Sequence, residues 1–247
     1  LLGISWFWFF GLVFTAQLPN YTKDYLGGSG SVETLALAVF SIGTGIGSLL
    51  CEKLSGRTVE IGLVPFGSIG LTVFGIDLYF ARHAPSAMHD LSAWAFLVMP
   101  ANWHVVTDLL FIGVFAGFYI VPLFALVQSR TPRDQISRVI SGNNILNAVF
   151  MVIASVFGLV LLKLGLSVPQ LLLATALLNA AVAIYIFTLV PEFLMRFLSW
   201  ALMKMLYRLR VHGVENIPDD GAALLVCNHV SYLDALLIGG AVPRPAR

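Results

Sequence analysis

The heptapeptide Asn228-His229-Val230-Ser231-Tyr232-Leu233-Asp234 is the part of this chain best suited to chemistry. Its histidine follows a continuous apolar run, Ala222 to Cys227, which has the length of a strand. Its aspartate falls where Leu233 to Leu237 begins a predicted helix. A carboxylate five residues after a histidine can hold the Nδ1 proton and leave Nε2 as a base working near neutral pH. Such a pair could deprotonate an alcohol for attack on an acyl carbon, the substrate hydroxyl standing where a triad has serine. A second interpretation of the same residues is structural. Ser231 and Asp234 have the spacing of a capping box, in which the carboxylate only satisfies backbone donors at a helix start.

The elements around this segment belong to two solvents. Charged residues make up 11% of the 247 and AVILMFWYC residues 58%, against roughly 25% and about 45–50% in soluble domains. The net charge of +1 excludes a strongly basic nucleic-acid binder. Six apolar runs, roughly 1–18, 34–51, 59–81, 105–127, 139–162 and 168–190, are long enough to cross a bilayer as helices. A shorter piece, Trp94 to Met99, ends at Pro100 and is expected to be interfacial or re-entrant. The two cysteines, Cys51 and Cys227, are expected to be reduced thiols. The connections after the second, fourth and sixth runs carry nine Lys and Arg, and the other connections carry three. That asymmetry predicts an integral inner (cytoplasmic) membrane protein with both chain ends in the cytoplasm.

Three regions follow: a six-helix membrane part over 1–190, a linker over 191–210, and the opening of an α/β domain over 211–247. The linker reads as a helix with Leu194, Leu198, Leu202, Met205 and Leu209 on one side and Arg196, Lys204, Arg208 and Arg210 on the other. It suits the inner membrane surface, or else a plain continuation of the sixth span. The chain begins inside an apolar run with no initiator Met, so a longer protein is expected.

Asn228, His229, Ser231 and Asp234, preceded by Val211, Gly213, Glu215, Asn216, Ile217 and Pro218, resemble the first conserved block of membrane-bound glycerolipid acyltransferases. The resemblance covers residues 211–247. It implies transfer of a fatty acyl group from acyl-CoA or acyl-carrier protein, as co-substrate, to a hydroxyl of glycerol phosphate or a lysophospholipid. It also implies His229 as general base, Asp234 as its orienting partner, and Asn228 and Ser231 as supporting residues. The family's later, phosphate-binding block is absent, so the chain alone is expected to be inactive.

Gly47, Glu52, Lys53, Gly56 and Arg57 resemble, with one extra residue of spacing, the loop signature of major facilitator transporters. Six spans would be one half of such a transporter, the second, and its missing first half would precede it. The joined arrangement resembles a lysophospholipid transporter fused to an acyltransferase. The implied partners are the lipid bilayer, a lysophospholipid and acyl-carrier protein. The competing expectation is a facilitator of another small molecule with a non-catalytic acyltransferase-like tail.

Within the spans Gly43, Gly45 and Gly47, and Gly113 and Gly117, have the small-residue spacing of closely packed helices or of a moving interface. Asn147 and Asn179 are candidates for a substrate path, with Ser41 and Thr44 beside them, although interhelical hydrogen bonds would equally explain them. Asp77 and Asp108 fall near span ends, where interfacial water can solvate a carboxylate. The sequence presents no metal-ligand cluster, phosphate loop, dinucleotide fingerprint or bound cofactor.

Overall fold

A computed structural model describes residues 1–54, 62–81, 90–189, 195, 198–199, 202, 205–206, 211–213, 216–218, 223–231, 233–234 and 237–238. Among the described residues seven named α-helices run in the order α1 (Leu2–Leu26), α2 (Gly30–Leu54), α3 (Leu63–Phe80), α4 (Ala93–Val98), α5 (Trp103–Arg130), α6 (Ile136–Lys163) and α7 (Val168–Leu189). Six of them, all but the short α4, are long and apolar enough to cross a membrane. The chain divides into two compact units, Leu1–Tyr185 and Ile186–Arg247.

In the first unit α5 lies at the centre, packed against α1, α2 and α3, while α6 packs on α1. Its Val105, Leu109, Ile112, Ala116 and Tyr119 are buried at alternating spacings of four and three, the period of one helix face. They meet Phe10, Phe14, Leu18 and Tyr21 of α1 in one continuous core. The other faces are not polar. Ile145, Val149, Val152, Val156 and Leu159 of α6 are all exposed, as befits a helix whose outer solvent is hydrocarbon.

The contact between α2 and α5 is built from glycine. A Cβ on Gly43 would overlap the Leu110 carbonyl, one on Gly47 the Val114 carbonyl, one on Gly113 the Phe40 carbonyl, and one on Gly117 the Ser48 amide. Gly45 lies between the first pair and faces open space. The two helices therefore touch backbone to backbone.

Chain punctuation follows local chemistry. Gly165, at φ 93°, closes α6 in a Schellman motif, its amide bonded to the Leu162 carbonyl and the Leu166 amide to the Leu161 carbonyl. Two residues later Ser167 caps α7, and Gln170 Oε1 reaches back to accept from the Ser167 amide at 2.8 Å. The α1–α2 turn is clasped to the segment before α4 by an isolated parallel bridge between Gly28 and Leu91. Ser92 caps α4 by accepting from the Ala95 amide at 3.2 Å. Trp94 and Trp103, exposed on either side of the Pro100–Asn102 3₁₀ turn, mark this as interfacial structure.

Two expectations meet a different structure. Gly28–Leu91 is the only β-bridge among the described residues, and the apolar run before His229 is irregular and exposed over 223–227. A strand needs a neighbour to complete its ladder, and none of the described residues supplies one, so the α/β opening is not seen as a sheet. Glu52 and Lys53 lie in the last turn of α2 and not in a loop, whereas Gly56 and Arg57 lie outside the described residues. Most of the 191–210 linker, including all four of its basic residues, also lies outside them.

Candidate functional site

Asp234 organises the segment that holds His229. One carboxylate oxygen, Oδ2, accepts from the Val230 amide at 2.7 Å and from the Ser231 amide at 2.9 Å. The same oxygen lies 3.1 Å from His229 Nδ1. Ser231 Oγ in turn accepts from the Leu233 amide at 3.2 Å. A helical turn follows, with the Leu237 amide donating to the Leu233 carbonyl. The Ser231 amide bonded to Asp234 Oδ2 is the carboxylate half of the capping box that their spacing predicts, whereas Ser231 Oγ accepts from Leu233 and the Asp234 amide donates to the Ser231 carbonyl. The catalytic and capping interpretations prove compatible, because one carboxylate oxygen serves both the backbone and the imidazole.

These bonds favour the ionised form of the carboxyl group. The Ser231 amide first and the Val230 amide second hold the Asp234 carboxyl below the usual carboxylate range, with slight desolvation opposing and the His229 ring adding to the effect. An ionised carboxylate can only accept, so Nδ1 is assigned as the donor in this contact. The His229 side chain is 75% exposed and that of Asp234 18%. The imidazole is thus largely exposed, while the carboxylate that contacts it is mostly shielded. Asn228 and Cys227 are exposed beside it, and the two cysteines are both free thiols.

Of the upstream residues, Asn216 folds back on Gly213, which takes φ 81°, with its amide donating to the Gly213 carbonyl at 3.0 Å. That positive φ explains the glycine, since an L side chain rarely adopts it. Glu215 lies outside the described residues.

The polar candidates in the helices form two seams. Asn179 of α7 accepts from Trp6 Nε1 of α1 at 2.8 Å and donates to Ser68 O and Thr72 Oγ1 of α3 at 3.1 and 2.9 Å. The partners of Asn147 assign its carboxamide orientation. Its oxygen accepts from Trp8 Nε1 at 3.2 Å and Asn143 Nδ2 at 3.1 Å, and its nitrogen donates to Ser5 Oγ at 2.8 Å. Each asparagine thus ties together helices that have no hydrophobic drive to associate in lipid. Ser41 and Thr44 bond back to their own helix, at the Leu37 and Phe40 carbonyls.

Asp77 and Asp108 come together at one end of the helical unit, and His104 lies between them. His104 Nε2 is 3.0 Å from Asp77 Oδ2 and 3.7 Å from Asp108 Oδ2. The sequence reading passed over His104. Its signal was the four-residue spacing to Asp108, which places both on one face of α5.

Comparison with known proteins bears on the second unit alone. Residues 208–247 match the Acyltransferase family model. The match points to acyl transfer in lipid metabolism. Two uncharacterized proteins, one from Mycobacterium tuberculosis and one from Mycobacterium bovis, are each 54% identical to this chain over 41 residues, 16% of this chain. The match spans only 12% of the length of either relative. No solved structure matches the chain. Residues 208–247 are thus similar to the Acyltransferase family model, and they follow six helices long and apolar enough to cross a membrane.

Proposed function

We propose that the chain is part of a membrane-embedded O-acyltransferase that remodels phospholipids, with His229 as its general base and Asp234 as the residue that orients it. The observation that carries this is the 3.1 Å contact between His229 Nδ1 and Asp234 Oδ2 inside the acyltransferase match. In the reaction His229 Nε2 takes the proton from a hydroxyl of a lysophospholipid or glycerol phosphate. The oxygen attacks the thioester carbonyl of acyl-CoA or acyl-carrier protein, forming the C–O bond, and the C–S bond breaks. The imidazolium returns its proton to the departing thiolate, giving an ester and a free thiol. Asp234 stabilises the transient imidazolium and keeps the proton on Nδ1, the role a buried aspartate has in hydrolytic triads.

In this proposal the six helices lie in the inner membrane with both chain ends cytoplasmic, and as half of a facilitator-type carrier they bring lysophospholipid to the enzyme. The lysine and arginine asymmetry supports the orientation. A second reading, a carrier with a non-catalytic tail, draws support from the backbone bonds that already engage Asp234. Acyl transfer from labelled acyl-CoA and acyl-carrier protein to a lysophospholipid, measured in the full-length protein and in His229→Ala, separates the two. Loss of about 10²-fold or more is expected for a missing general base, and unchanged transfer would establish the second reading. Uptake of labelled lysophospholipid into vesicles, with and without the helical region, tests the carrier; no difference would remove it.

A further inference from the structure

The helical unit holds a second cluster, unrelated to the acyltransferase segment. Asp77 stands near the end of α3, and His104 and Asp108 stand one turn apart at the start of α5. One ligand atom from each lies within 4.8 Å of the other two. Asp77 and His104 are about half exposed, at 45% and 49%, whereas the Asp108 side chain is 2% exposed.

Hydrogen bonding leaves this cluster incomplete. Nε2 of His104 bonds Asp77 at 3.0 Å, but Asp108 Oδ2 at 3.7 Å is beyond hydrogen-bond reach. Asp108 Oδ2 is a buried oxygen with no hydrogen-bond partner, and it faces the same nitrogen. One N–H cannot serve two carboxylates on different helices.

The geometry points to a binding site for a zinc-class divalent cation, held by Asp77 Oδ2, His104 Nε2 and Asp108 Oδ2, that joins the ends of α3 and α5. Tetrahedral zinc binds such ligands at about 2.0–2.2 Å, which puts neighbouring ligand atoms roughly 3.3–3.6 Å apart. The 3.0 and 3.7 Å separations from Nε2 bracket that edge, and the two carboxylate oxygens lie within 4.8 Å of one another. An imidazole ligand favours zinc over calcium or magnesium, which take oxygen. The exposed side admits the ion and leaves the fourth position to water.

The test uses the purified full chain in detergent micelles, stripped with chelator and titrated with zinc chloride by calorimetry. Cobalt(II) then serves as a spectroscopic probe. One equivalent should bind, with the visible ligand-field bands of a four-coordinate site. His104→Ala and the nearly isosteric Asp108→Asn should each lose at least the roughly 10- to 100-fold in affinity that even outer-shell residues contribute. His229→Ala should bind as the unaltered chain does, which separates this site from the acyltransferase pair. Unchanged binding in His104→Ala, binding abolished by His229→Ala, or no binding to the unaltered chain would each overturn the proposal. Should Asp108→Asn fail to fold, the half-exposed Asp77→Asn provides the same comparison, and an octahedral cobalt spectrum in the unaltered chain would refute the site without any variant.

Discussion

Gly45 and Gly47 lie two residues apart on α2, and alanine at each should have opposite effects on stability. At both positions alanine lowers the conformational entropy lost on helix formation and returns about 1 kcal/mol. That contribution cancels when the two variants are compared. At Gly45 the added methyl meets nothing within 4 Å. At Gly47 it runs into the backbone of Val114 on α5, closer than van der Waals contact allows, and backbone cannot rotate aside. The helices must separate, and overpacking of this kind costs roughly 1–3 kcal/mol. Gly47→Ala should therefore be less stable than Gly45→Ala by about that amount. Gly117→Ala presses on the same contact, at Ser48 and Gly47, so the Gly47/Gly117 pair should cost less than the sum of the singles. Equilibrium unfolding in mixed micelles, followed by far-ultraviolet circular dichroism, measures all four variants. Equal stability of Gly45→Ala and Gly47→Ala would refute backbone-to-backbone packing of α2 on α5.

Three further outcomes follow from the site and the seams. Asp234→Asn keeps a carbonyl oxygen for the Val230 and Ser231 amides but loses the charge that stabilises an imidazolium, so acyl transfer by the full-length protein should fall about 10²-fold or more with the turn intact; unaltered turnover would assign Asp234 to capping alone. Activity should decline as pH is lowered from about 8 to about 5, because an imidazole base is lost to protonation there. Asp234 is not the cause of that decline. Its carboxyl titrates lower in the folded than in the unfolded chain, so its contribution to the turn is present above the unfolded value and is lost only as pH falls through the folded one; a flat profile over the range would count against a histidine base. Asn179→Leu removes bonds to Trp6, Ser68 and Thr72 and should destabilise the helical unit by about 1 kcal/mol or more in detergent unfolding, whereas no change would mean that the seam does not hold α7.

What the sequence discloses here depends on how local the determining physics is. The His229–Asp234 contact joins residues five apart through one turn, and its residue types and spacing were enough to predict it. The six spans were legible because length and apolarity alone decide them, and one helix covers each. Their ends were less so. The first apolar run ends at 18, yet α1 continues to Leu26 with Pro19 inside it. Pro19 has no N–H for the Thr15 carbonyl four residues earlier, and its own carbonyl accepts from Thr22 Oγ1 at 3.0 Å. Starting the fourth span at 105 left His104 in a loop, whereas α5 begins at Trp103 and brings His104 into register with Asp108. Asp77 could not be joined to them from sequence, because its place depends on which helix α3 packs against. The predicted strand before His229 failed for a related reason: its pairing partner is specified by tertiary structure, not by the apolar run itself.

Buried polar atoms in the helical unit are satisfied with two exceptions among the described residues, Asp108 Oδ2 and Asn143 Oδ1. The two are not equivalent. Asn143 is neutral, and its nitrogen is already engaged by Asn147 across one turn of α6. An unmade bond to such an amide costs about 1–3 kcal/mol, within what a well-packed seam can offset. Asp108 is ionisable, and its buried Oδ2, left without a donor, costs at least as much. Helix packing explains Asn147 and Asn179, whose bonds are nearly complete, but it does not explain a carboxylate left without a donor 3.7 Å from an imidazole. A cation shared with Asp77 and His104 removes that cost and ties two helices that glycine and asparagine contacts do not join at this end. Beside its apolar core and glycine contacts, the same unit therefore uses neutral hydrogen bonds where the helices are buried and, in this proposal, charge neutralisation at the end that holds His104.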